Sequence, residues 1–191
     1  METRTIEGIE RKEIYHEKQR LQFCLLHSLN NLFQESNAFT REQLNAIADR
    51  LILNDPNKDS KPGICKWVFS FFQRHDYYNP TSGNYDVNVL ITAMEGRGKK
   101  VAWHDQRKKA SSIDLDDPEG KLNGIVLNIV VKKFCGLLKG RHWVALRKIH
   151  GFWYNLDSEL SRPYKFRNDV EVRKFLDSTM AAQSQVLLIL N

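Results

Sequence analysis

The stretch "RLQFCLLHSLNNLF", Arg20 to Phe33, decides how the chain is read, because it sets a cysteine and a histidine three residues apart at the start of an apolar helical pattern. From Cys24 onward, Leu25, Leu29 and Leu32 recur at helical spacing while Leu26 and Phe33 widen the apolar face, which predicts a helix over 24–34. A thiol in the first turn of a helix lies beside unpaired backbone N–H groups and the positive end of the helix dipole, both of which favour thiolate. Three chemistries fit that placement: half of a metal site, a small buried hydrophobe, or the nucleophile of a thiol enzyme.

The rest of the chain narrows the choice. Its 191 residues suit one domain, and the 41% hydrophobic and 27% charged content is that of an ordinary globular chain. The first dozen residues, "METRTIEGIERK", lack an apolar period and are expected to form a flexible arm at 1–12, with the folded domain over 13–191. Cys24, Cys65 and Cys135 are odd in number and widely spaced with no secretory leader before them, so reduced thiols and a cytoplasmic, or also nuclear, location are expected. The longest apolar runs, Gly124 to Val131 and Val186 to Leu190, are too short to cross a bilayer. Lysine and arginine outnumber acids by 29 to 23, but the basic residues fall in small scattered groups, such as Arg107 to Lys109, with no nucleic-acid-binding signature.

Along the chain, Thr40 and Gln43 form a capping-box signature before a helix with Leu44, Ile47, Ala48 and Leu51 on one face. "ICKWVFSFFQRH" is read as a further helix, with a strand as the alternative its aromatic and β-branched content also suits, and Asp86 as the N-cap of a helix carrying Val87, Leu90, Ile91 and Met94 and ending near Gly96 or Gly98. The second half turns to short β-branched and aromatic runs, "KVAWH", "GIVLNIVV", "HWVALRK" and "FWYNLD". A late helix capped by Asp169 and a final strand "QVLLILN" complete an α+β pattern with a mostly antiparallel sheet.

A nucleophilic cysteine needs an imidazole to take its proton, and the imidazole needs an oxygen acceptor to fix its tautomer. Of the six histidines, His142 is the candidate, placed at the opening of "HWVALRK" after a Gly140-Arg141 turn. Across a short hairpin near Ile149 to Gly151 comes "FWYNLDS", which offers Asn155 and Asp157. A loop of even length puts His142 and Asp157 on one face, directly opposed if centred on Ile149-His150 and diagonal if centred on His150-Gly151. Asn155 shares the parity of Asp157 and rivals it as the residue that orients the ring. Cysteine, then histidine, then Asn or Asp on the next strand is the chain order of papain-like thiol enzymes.

The blocks "IYHEKQRLQFCLLHSLNNLFQ", "RHWVALRK" and "WYNLDS" together resemble the Josephin deubiquitinases, from about Ile14 to the C-terminus. The resemblance implies a papain-like fold with a projecting helical hairpin, and a cysteine-type hydrolase cutting the isopeptide or peptide bond after the C-terminal glycine of ubiquitin. It implies Cys24 as nucleophile, His142 as general base, Asp157 as orienting acid and Gln19 as oxyanion-hole donor, with ubiquitin and ubiquitinated proteins as partners and neither cofactor nor metal. Residues alone give Gln19 no role; five residues before the nucleophile, its amide could join the Cys24 N–H at a developing oxyanion. Position 157 is Asp where some members carry Asn, and the chain is expected to be a Josephin domain alone, without a long ubiquitin-interacting tail. The aromatic segment from Asp55 to Pro80 stays unassigned. Two other readings remain: a catalytically silent ubiquitin-binding module on the same fold, and a zinc site drawing on Cys24, His27, Cys135 and His142, whose spacing is wider than that of paired zinc knuckles.

Overall fold

The computed structural model describes residues 13–19, 23–54, 78–79, 84–133 and 138–191. The expected arm at 1–12, the aromatic stretch "ICKWVFSFFQRH", Cys65 and Cys135 lie outside them.

The first helix, α1, spans Cys24–Phe33. It stops one residue short of expectation because Gln34 adopts the left-handed conformation at φ 59°. Glycine usually takes that place. Here the Gln34 amide grips the chain before the helix: its Oε1 accepts from the Tyr15 N–H at 3.0 Å, and its Nε2 donates to the Tyr15 and Asn31 carbonyls at 3.0 and 2.7 Å. α2 (Arg41–Leu53) begins at Thr40 with both halves of the predicted capping box formed. α3 (Val87–Glu95) is capped by the Asp86 side chain, which accepts from the Asn88 N–H, and gives way at Gly96. For α4 (Asp169–Ala181) the cap is Asn168 rather than Asp169: the Asn168 side chain accepts from the Glu171 N–H, and Asp169 instead supplies first-turn negative charge to the helix dipole.

Two short strands, β1 (Tyr78–Asn79) and β2 (Asn84–Tyr85), form a ribbon too brief to leave a pattern in sequence. The main sheet contains β3 (Lys100–Trp103), β4 (Leu122–Lys133), β5 (Leu138–Ile149), β6 (Phe152–Asn155), β7 (Tyr164–Lys165) and β8 (Gln185–Leu190). Its order is β3-β8-β4-β5-β6-β7, with every neighbouring pair antiparallel. The near-continuous apolar run in β4 follows from burial on both faces. Val126, Trp143, Ala145, Leu187 and Ile189 pack with α1, α2 and α3, whereas Ile125, Leu127, Val144, Leu146 and Val186 pack with α4 and a 3-10 turn at Ala110–Ser112. Helix α1 lies close over the sheet at Gly124, where a Cβ would come within 2.5 Å of the Leu32 side chain and 2.8 Å of the Leu146 carbonyl oxygen.

The β5–β6 register pairs Ile149 with Phe152 and Leu146 with Asn155, so the loop is the two-residue His150-Gly151 turn. Both residues have positive φ, 50° and 82°, as a type I′ hairpin turn requires. His142 and Asp157 are therefore the diagonal pair of the two predicted alternatives. Residues Gly140 and Arg141 are not a turn but strand, paired with Val131 and Val130, so His142 lies within β5 rather than opening it. The β4–β5 ladder simply continues farther than the glycine suggested. His142 still meets an open flank, because β6 ends at Asn155 and the chain leaves the sheet at Asp157.

Candidate active site

Cys24 is the first residue of α1 and is buried. The residue before it, at the N-cap, is Phe23, whose side chain offers no capping oxygen and so leaves the first-turn N–H groups uncapped from that position. A helix start without Ser, Thr, Asp or Asn forgoes roughly 1 kcal/mol of capping. In return it leaves backbone donors beside the thiol, the arrangement an oxyanion needs.

His142 is buried at 3% exposure, with Nε2 donating to Asp157 Oδ1 at 2.6 Å. The Cys24 thiol lies near enough to act on the same ring, and with Nε2 taken by Asp157 the nitrogen left for it is Nδ1. Burial pulls the His142 pKa down, yet the hydrogen bonds and charges of Asp157 and Cys24 outweigh it and push the imidazole up to about 10. Asp157 Oδ1 also accepts the Glu159 N–H at 2.9 Å, and the Asp157 N–H donates to Asn155 Oδ1 at 3.0 Å. The contest between Asn155 and Asp157 thus ends with Asp157 on the imidazole and Asn155 shaping the turn that delivers it.

Residues before α1 are bonded to the segment after β6 and to α1. The Gln19 N–H donates to the Ser158 carbonyl at 2.8 Å, and His16 Nε2 donates to the Asp157 carbonyl at 2.9 Å. Asn31, fully buried on α1, accepts the Glu17 N–H at 2.7 Å and donates to the Glu17 and Leu156 carbonyls at 3.2 and 3.0 Å. His27 Nδ1 donates to Glu17 Oε2 at 2.8 Å, so this histidine holds the same segment. Burial and the Glu17 carboxylate raise the Tyr15 phenol to about 12, keeping it a donor to Glu17 Oε1. Gln19 is held beside the segment just past β6 that carries Asp157 by these contacts.

All four sequence candidates fall on described residues and have defined positions: Asp157 on Nε2 of His142, Cys24 beside the same ring, and Gln19 on the residue after Asp157. Of the alternative metal set, His27 turns to Glu17 and His142 to Asp157, and Cys135 lies outside the described residues. No group of three or more His, Cys, Asp or Glu side chains suited to a metal converges among the described residues. Sequence reasoning missed His16, Glu17, Asn31, Gln34 and Ser158, whose bonds reach across as many as 141 positions, from His16 to Asp157, and follow no period. It also missed Glu159, whose Oε1 stands 3.9 Å from His142 Nδ1 on a half-exposed side chain. The only available signal was polarity on the wrong face: Asn30 and Asn31 interrupt the apolar pattern of α1 and yet are buried.

A helix-borne thiol, a strand-borne imidazole and a carboxylate just past the next strand, on an α+β scaffold with an antiparallel sheet, define the papain-like fold class. Within it the chain belongs to the Josephin family, whose model matches residues 19–190. It is 58% identical over 169 residues to a Josephin-like protein of Arabidopsis thaliana, covering 88% of this chain and 45% of that protein. With Josephin-2 of Mus musculus it shares 36% identity over 181 residues, 92% of this chain and 85% of the relative. Human Ataxin-3 is 28% identical over 154 residues, 80% of this chain and 38% of that protein. The chain thus spans less than half of the Arabidopsis relative and of Ataxin-3, and most of Josephin-2. No helix among the described residues is long and apolar enough to cross a membrane.

Proposed function

We propose that this chain is a cysteine-type deubiquitinase, hydrolysing the isopeptide or peptide bond that follows the C-terminal glycine of ubiquitin. The observation that carries the reading is the buried His142 hydrogen-bonded to Asp157 with the helix-borne Cys24 beside the same ring, on a Josephin domain.

In this mechanism His142 Nδ1 takes the Cys24 proton, and the resulting imidazolium is held by Asp157. The thiolate attacks the glycine carbonyl carbon, and the oxygen gathers charge against the first-turn N–H of Cys24 and the Gln19 amide. A donor at that point is typically worth about a hundredfold to a thousandfold in rate. His142 then returns its proton to the departing amine, the C–N bond breaks, and a thioester to Cys24 remains. Water, deprotonated by His142, hydrolyses the thioester and regenerates the thiol. The general acid–base steps contribute about a hundredfold to ten-thousandfold in such enzymes. A mechanism that turns on a free thiol suits a reducing compartment, in keeping with a cytoplasmic or nuclear setting.

An activity-based ubiquitin probe with an electrophilic C-terminus tests the reading. One covalent adduct at Cys24, absent from Cys24→Ala, is expected. Folded protein that binds ubiquitin without forming the adduct would instead identify a silent ubiquitin-binding module, and absence of both binding and adduct would overturn the ubiquitin assignment.

A further inference from the structure

Beside the reacting groups stands a buried hydroxyl that the mechanism above does not use. Ser158 is 2% exposed and directly follows Asp157. Its carbonyl accepts the Gln19 N–H at 2.8 Å, and its Oγ lies 3.4 Å from Gln19 Oε1. We propose that Ser158 is the positioning residue of the oxyanion hole: its hydroxyl holds the oxygen of the Gln19 amide, so that the NH2 end is the one offered to the substrate oxygen. The proposal rests on the deubiquitinase reading and deepens it.

Geometry and hydrogen-bond supply carry the argument. A glutamine amide has an acceptor end and a donor end of nearly the same shape, and the wrong end would turn a carbonyl oxygen toward a developing oxyanion. Something must choose between them. Ser158 can, because a buried hydroxyl needs an acceptor for its one proton, and Gln19 Oε1 is the partner it has. With Oε1 engaged, the Gln19 NH2 has no partner among the described residues and is free for substrate. The backbone bond fixes where the Gln19 main chain sits and the hydroxyl fixes its side chain, so one residue clamps both ends of a side chain that otherwise samples several rotamers. A contact of 3.4 Å is long for a hydroxyl donor; catalytic hydrogen bonds are often slack in the free enzyme and tighten as charge develops. Loading the NH2 with an oxyanion makes Oε1 a better acceptor, which strengthens the Ser158 bond in the transition state above all.

The test is single-turnover cleavage of a ubiquitin C-terminal amide by the full chain, with Ser158→Ala, Ser158→Cys, Ser158→Thr, Gln19→Ala and the Ser158→Ala/Gln19→Ala double variant. Ser158→Ala is expected to lower kcat about twofold to twelvefold, the kinetic equivalent of one neutral hydrogen bond, with KM unchanged. Ser158→Cys, which keeps the volume but donates weakly, gives the same loss if Ala disturbs folding, and Ser158→Thr restores activity. In the Gln19→Ala background Ser158→Ala should cost nothing more, since the hydroxyl then has no amide to hold. The same loss with or without Gln19 would show a merely structural role and overturn the proposal, as would full kcat in both Ala and Cys variants. Wild-type activity in Gln19→Ala overturns it while leaving the enzyme reading intact; a wild-type chain that labels with no probe and cleaves nothing overturns both.

Discussion

Replacing Asp157 probes the line from thiol to carboxylate at its most informative point. Its Oδ1 accepts the His142 N–H at 2.6 Å and the Glu159 N–H at 2.9 Å, and its side chain is 16% exposed. Asp157→Ala removes the charge-assisted bond that orients the ring. A hydrogen bond to a charged group is worth about 1.5–3 kcal/mol, and at about 1.4 kcal/mol per decade its loss in the transition state predicts a fall in kcat/KM of about tenfold to 150-fold. Asp157→Asn keeps an acceptor for the ring and loses the charge, so activity should fall less. The charge loss has its own signature. Asp157 helps to raise the His142 pKa to about 10, so an uncharged neighbour must lower it. The alkaline limb of the kcat/KM profile, where imidazolium is lost, should therefore move to lower pH in Asp157→Asn. Single-turnover ubiquitin cleavage across pH, run beside Asn155→Ala, makes the comparison. Full activity in Asp157→Ala together with a dead Asn155→Ala, or an alkaline limb unmoved in Asp157→Asn, would refute the assignment.

Three further outcomes follow from the same contacts. His142→Ala should abolish turnover nearly as completely as Cys24→Ala, and the double variant should be no worse than either, because members of a relay act as a unit; additive losses in single-turnover assays would contradict this. His27→Ala leaves the Glu17 carboxylate, 23% exposed, without its ring partner, which should cost about 1–3 kcal/mol and lower Tm by about 2–12 °C with little change in kcat, read by calorimetry and cleavage assays. The pH dependence of stability has a fixed sign. The His142 pKa is about 10 when folded against an ordinary value of 6.5, so its contribution is complete below pH 6.5 and is lost as pH rises through 10. The stability advantage of wild type over His142→Gln in urea titrations should accordingly shrink between pH 6 and pH 10.5, and a constant difference would contradict the ion-pair account.

What could be read in advance was whatever repeats locally. The leucines of α1, the Thr40–Gln43 box, the Asp86 cap and the alternation that tied His142 to Asp157 all rest on spacing within one element or across one short hairpin. The strand that carries His142 runs farther back than Gly140 suggests, because the glycine's partner Val131 keeps the ladder going. At the start of α4, Asn168 and Asp169 are both good caps, and only backbone geometry separates them. The segment from Tyr15 to Gln19 was opaque for a different reason. Its partners are side chains on α1 and carbonyls beyond β6, chosen by tertiary proximity, and Gln19 gained a role only through family resemblance.

Gln34 shows how a general stabilising rule fails at one address. A left-handed residue closing a helix is where an engineer would install glycine, relieving about 1 kcal/mol of backbone strain. Here the glutamine side chain makes three hydrogen bonds to backbone atoms of Tyr15 and Asn31, worth about 0.5–1.5 kcal/mol each, so the substitution trades a larger quantity for a smaller one. Its effect would also surface away from the mutation. Tyr15 anchors the run that ends at Gln19, and slack introduced at the far end of α1 would arrive at the substrate carbonyl as lost turnover in a protein whose helix had been locally improved.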